Sequence, residues 1–182
     1  MAHGKQRIPS YEPGGGNEAS DQALADISAM FDGRIPNYHK VLANSGPSIQ
    51  AFEAMRRLLQ KTKLKAVERE IIAVEVSRRS NCEYCIAAHT KFMRMHRVGE
   101  EDIAAAVAGN PMSNPRHALV QKTTQDIYDK QGRLSDAELA AVREAGLSDG
   151  ELIEITAVIG WYVWSTYVNN MAQTEVDAFW TE

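Results

Sequence analysis

The chain has 182 residues, 44% of them apolar and 24% charged, with a formal net charge of -4 at pH 7. That length supports one domain with a real hydrophobic core, and the mild negative balance argues against a nucleic-acid partner, which would call for a basic face. No apolar run approaches the roughly 20 residues that span a bilayer, and no apolar segment follows the first basic residues as in a secretory signal, so a cytoplasmic setting without a membrane partner is expected.

Residues 1–20 are poor in large apolar groups and contain Pro9, Pro13 and the run Gly14-Gly15-Gly16. They read as a flexible N-terminal arm; the glycine run lacks a Lys-Ser/Thr ending and a preceding strand, so it is no phosphate loop. Residues 21–182 read as a single helical domain. Leu24, Ile27 and Phe31 recur at helical spacing, Ile35-Pro36-Asn37 interrupts, and a short helix restarts at Tyr38. Pro47 suits the first turn of a helix running to about residue 59. Residues 68–79 continue the pattern with Ile71, Ile72, Val74 and Val76, and the next helix spans about 81–96, closed by Gly99. An alanine-rich helix over 100–108 ends before the turn residues Asn110-Pro111 and Asn114-Pro115, and 116–130 is amphipathic again. Ser135/Glu138 and Ser148/Glu151 have capping-box spacing, the second opening a long helix to about residue 171, and residues 174–180 finish the chain. No segment alternates as a strand would. The expected fold is all-α, a compact helical bundle. The likeness of residues 70–74 (EIIAV) to 154–158 (EITAV), 84 positions apart, hints at an internal helical duplication.

The two cysteines of the chain lie in the run Asn81-Cys82-Glu83-Tyr84-Cys85-Ile86-Ala87-Ala88-His89. Ser80 and Glu83 have capping-box spacing, which predicts a helix from about residue 81 with Cys82 in its first turn, where unpaired N–H groups and the positive helix end favour a thiolate. Cys85 lies one turn further in. His89, four residues beyond it, shares that helix face and is positioned to take a proton from the thiol or return one. Glu70 stands on the preceding helix, and a helical hairpin would bring its carboxylate across to hold the histidine in one tautomer. Reversible disulfide chemistry is the first expectation. Zinc binding by Cys82, Cys85, His89 and Glu70 is the competing one, although structural zinc sites usually draw ligand pairs from two separated clusters. His39, His96 and His117 read as structural or solvent-facing, Trp161, Trp164 and Tyr167 as packing, and Arg56-Arg57 and Arg78-Arg79 as solvated faces.

The combination Glu70-x11-Cys82-x-x-Cys85-x3-His89 resembles the AhpD-like alkylhydroperoxidases of the carboxymuconolactone decarboxylase superfamily. Ile35-Pro36-Asn37, the stretch Arg69-Glu70-Ile71-Ile72-Ala73, Val98-Gly99, Ala145-Gly146-Leu147-Ser148 and Tyr167-Val168-Asn169-Asn170 extend the resemblance over most of the chain beyond about residue 30. The resemblance implies an all-α AhpD-like domain assembled as a homotrimer or homohexamer; no cofactor or metal is expected. It implies that Cys85 is the peroxidatic thiol, Cys82 the resolving thiol, and Glu70 with His89 the proton relay. It also implies a hydroperoxide as substrate and a dithiol donor, a lipoyl group or a thioredoxin-like protein, to restore the thiols. One position departs: the best-known AhpD pattern has a histidine immediately before the second cysteine, and this chain has Tyr84, a poor base near neutral pH. A general thiol-disulfide oxidoreductase and a redox-sensing helical oligomer without turnover are the alternatives. Muconolactone decarboxylation leaves the thiols idle.

Overall fold

The computed structural model describes residues 5–181, and every regular element among them is a helix. The order is α1 (Glu18–Met30), α2 (Asn37–Leu42), α3 (Gly46–Leu59), α4 (Ala66–Arg79), α5 (Glu83–Met95), α6 (Glu100–Ala108), α7 (Pro115–Asp129), α8 (Asp136–Glu144), α9 (Asp149–Ala172) and α10 (Ala178–Thr181). The all-α expectation holds. Of the N-terminal arm, residues 1–4 lie outside the described residues. The remainder runs along the body, where Arg7 N–H donates to the Ala172 carbonyl at 2.7 Å and Tyr11 N–H to that of Lys40 at 2.9 Å.

Local chemistry sets the helix ends. Ser45 accepts from Ser48 N–H with Pro47 in the first turn of α3, and Asn114 accepts from Arg116 and His117 N–H with Pro115 opening α7. Two of the three expected capping boxes form, Ser135 with Glu138 and Ser148 with Glu151. Helix α6 ends at Gly109, whose φ of 79° is left-handed. The Arg78 guanidinium packs where a side chain would stand, since a Cβ there would lie 2.6 Å from Arg78 Cζ.

Helix α4 is the axis of the molecule. It packs against α5, α6, α7 and α9, and Ile71, Ile72, Ala73, Val74 and Val76 are fully buried. Burying each large aliphatic side chain stabilises by about 1.5–3 kcal/mol, so this one turn and a half anchors the bundle. Two carboxylates are buried on the same helix, Glu68 and Glu75. Glu68 accepts from Arg116 Nε at 2.6 Å. Glu75 is met by Arg78, Arg79, Gln121 and Gln125. The Arg78-Arg79 pair is therefore not a solvated face: a buried carboxylate must be paired, and these guanidiniums reach back one turn to do it.

Candidate functional site

The turn between α4 and α5 carries the cysteines. Ser80 caps the end of α4 rather than the start of α5, and Asn81 takes a left-handed φ of 50°. Cys82 is then the N-cap of α5, its sulfur accepting from Cys85 N–H at 3.3 Å. The expected start at residue 81 shifts because the Ser80 hydroxyl is engaged by Tyr128 and Thr166 and asparagine tolerates the left-handed turn. Cys82 and Cys85 are joined as a disulfide with Cα atoms 5.3 Å apart, and both are almost fully buried.

Helices α4 and α5 form the expected hairpin, and it brings Glu70 to His89: the carboxylate Oε2 lies 2.7 Å from Nδ1. With Nδ1–H donated to Glu70, Nε2 carries the free lone pair for proton transfer. The imidazole is further held edge-on to Tyr162 at 4.7 Å between ring centres. Among the described residues no group of three or more His, Cys, Asp or Glu is arranged to hold a metal ion.

A cavity of about 380 Å³ opens on this pair. Cys85, His89 and Glu70 line it and Cys82 does not. Its walls are mainly aromatic: Phe31, Tyr38, Phe52, Phe92, Trp161, Tyr162 and Trp180. His39 and His96, read from sequence as structural or solvent-facing, also line it, as does Trp161, whose spacing marked it as packing. Arg56 lines it too and is no solvated charge, since the buried Glu53 accepts from its Nε at 2.7 Å. Burial pushes the Glu53 carboxyl up, but hydrogen bonds from His39 and Arg56 outweigh it and the net direction is downward.

Two residues named in the sequence reading were given no role there. Asn169 of α9 donates from Nδ2 to the Cys85 sulfur at 3.4 Å. It stands 84 positions after Cys85, the offset of the suspected duplication, so α4-α5 and α9 meet where that alignment faces them. The second is the Tyr84 cluster. Its hydroxyl donates to Asp177 Oδ2 at 2.7 Å, and accepts from Trp180 Nε1 at 3.2 Å and from Tyr38 N–H at 3.3 Å. Burial raises the Tyr84 hydroxyl well above its usual range, and the Asp177 charge adds to this. Tyr84 is thus a neutral donor whose hydroxyl is fully occupied. It ties the cysteine turn to the C-terminal segment, whose Trp180 closes one wall of the cavity.

Residues 49–110 match the carboxymuconolactone decarboxylase family. The fold is shared with an alkylhydroperoxidase AhpD core from Ralstonia eutropha JMP134, an uncharacterized peroxidase-related protein, at 22% identity over 98% of this chain and 96% of that one, TM-score 0.87. It is shared with an uncharacterized peroxidase-related protein from Silicibacter sp. TM1040 at 20% identity over 99% and 96%, TM-score 0.80. The debrominase Bmp8 also has it, at 14% identity over 94% and 93%, TM-score 0.76. No curated protein matches the sequence. No helix among the described residues is long and apolar enough to cross a membrane. The family match takes in Glu70, both cysteines and His89, and the fold shared with the AhpD-like structures takes in the bundle around them: residues 49–110 resemble the carboxymuconolactone decarboxylase family and sit within an AhpD-like all-α fold.

Proposed function

We propose that the protein is a thiol-dependent peroxidase that reduces organic hydroperoxides through Cys85 and Cys82. The observation that carries this reading is the cavity that reaches Cys85 and not Cys82, with the Glu70–His89 pair on its wall at 2.7 Å. A peroxidatic thiol must meet substrate, whereas a resolving thiol must meet only its partner.

In this scheme the Cys85 thiolate attacks the terminal oxygen of the hydroperoxide and the O–O bond breaks. The alkoxide leaves and takes its proton from His89, whose positive form Glu70 supports. Cys85 is left as a sulfenic acid. The Cys82 sulfur attacks it, the S–S bond forms and water departs with the remaining proton. Two electrons have passed from the thiols to the peroxide. A Cys82–Cys85 disulfide is what that half-cycle would leave, and the pair is close enough to form one; a dithiol donor, a lipoyl group or thioredoxin-like protein of the cytoplasm, would reverse it by exchange.

The test is continuous hydroperoxide consumption with dithiothreitol as donor. Cys85→Ser should abolish it. Cys82→Ser should leave a sulfenic acid on Cys85 that dimedone traps. Glu70→Gln and His89→Ala should each slow turnover by about 10²-fold, within the usual range for a lost general acid or base. Oxidation of one equivalent without turnover would leave a redox sensor, and disulfide exchange without peroxide consumption a general oxidoreductase. Halide release from a bromopyrrole in place of peroxide consumption would move the reading to reductive dehalogenation.

A further inference from the structure

A water occupies about 30 Å³ of liquid, so a cavity of about 380 Å³ holds far more than a peroxide group. Its lining says what else should enter. Among the described residues, eight buried side-chain nitrogen or oxygen atoms have no hydrogen-bond partner. Four of them, Tyr38 Oη, His39 Nδ1, Trp161 Nε1 and Asn169 Oδ1, belong to residues lining this one cavity. Such atoms are normally satisfied, and a phenylalanine would fill the place of the tyrosine without the penalty. Asn169 stands at the sulfur. The other three gather around one ring, Phe52, at centroid distances of 5.2 Å for Tyr38, 6.2 Å for His39 and 4.8 Å for Trp161. Tyr38 and Trp161 are both more than nine-tenths buried, and both can donate.

Arg56 lies one helical turn beyond Phe52 on α3 and lines the same cavity. Glu53 engages its Nε, so the two Nη groups are the donors that remain for a ligand. Arg69 lines the cavity as well. Two carboxylates stand against these guanidiniums: Glu70 in the lining, which His89 occupies, and the buried Glu53 behind Arg56, whose oxygens face Arg56 Nε and His39 and leave the Arg56 Nη groups open to the cavity. Ring contacts lead from His89 through Tyr162 and Trp161 to Phe52, each step at 4.7 to 4.8 Å. One ligand lying along these rings would span both groups.

We infer that the substrate is a hydroperoxide with an aromatic or branched apolar body and a carboxylate at its other end, bound by Arg56 with Tyr38 and Trp161 as further donors. The reacting end rests on the peroxidase reading; the bound end does not. A planar fork of N–H groups matches a carboxylate, and a buried charge-assisted hydrogen bond discriminates far more sharply than apolar contact.

The test uses a matched pair of unreactive alcohols, 4-(2-hydroxypropan-2-yl)benzoate and 2-phenylpropan-2-ol, titrated into the oxidised protein by calorimetry. The carboxylate should bind more tightly by about tenfold or more, the scale of one charged hydrogen bond. Arg56→Gln should remove most of that preference and Tyr38→Phe part of it, with binding of the neutral alcohol unchanged and thermal melting confirming the fold. Equal binding, no binding of either compound, or a preference that survives both variants overturns the assignment. The corresponding hydroperoxides are then compared by kcat/KM. Selective binding without consumption of either hydroperoxide sinks the peroxidase reading and keeps the carboxylate site. Consumption of both at equal kcat/KM without selective binding does the reverse.

Discussion

Besides its disulfide partner, the reactive sulfur is reached by an amide. Asn169 Nδ2 reaches Cys85 Sγ at 3.4 Å, and a donor on sulfur favours the thiolate over the thiol. Replacing it with leucine, close in shape but without the donor, should slow iodoacetamide alkylation of the reduced protein at neutral pH by about tenfold, the low end for a hydrogen bond to a charge. An unchanged alkylation profile would remove Asn169 from the chemistry. The resemblance took in this residue, but nothing local marks its role; it meets Cys85 only when α9 packs on the α4-α5 hairpin. Glu70 and His89 were legible because one covalent hairpin and one helical period fix their approach. Tyr38 and Trp161 were hidden for another reason. An aromatic ring at helical spacing looks the same whether its polar tip meets the core or a cavity.

Caps and turns decide the elements. The Ser148/Glu151 box that opens α9 was readable from four residues, since both partners lie within one turn. The Ser80/Glu83 spacing was equally good and did not form a box: Ser80 ends α4, and its hydroxyl is taken by Tyr128 and Thr166 across the bundle. Tertiary contacts overruled the local signal there, and they moved Cys82 from the first turn to the cap. In the box that did form, hydrogen bonds from Ser148 hold the Glu151 carboxyl down, from 4.5 to about 2. Its folded pKa is below its unfolded one, so its stabilising contribution is complete above about pH 4.5 and is lost as pH falls toward 2. Glu151→Gln should therefore flatten the loss of melting temperature across that window. Ser148→Ala should cost about 1 kcal/mol at neutral pH, a fall of about 2–4 °C in a chain of this size. A Glu151→Gln protein with the acid profile of the wild type would contradict this.

The whole molecule leaves an apolar stripe uncovered. Ile153, Tyr167 and Met171 are 72%, 60% and 59% exposed, and their spacing along α9 puts them near one face. The family resemblance led us to expect a homotrimer or homohexamer, and this stripe is where such an assembly would bury surface. Sedimentation should give three or six protomers, and Ile153→Glu should shift the population toward smaller species without unfolding them; an unaffected assembly would clear this face of the role. The fold class was legible throughout because each helix carries its own period and caps. The cavity was not, since it forms only where α1, α2, α3, α4, α5, α9 and α10 come together. Tyr84, one of the two residues between the cysteines, grips Asp177 and Trp180, so α10 is a working part of the site's wall. Displacing α10 would therefore take Trp180 out of the cavity wall and free the Tyr84 hydroxyl beside the cysteines.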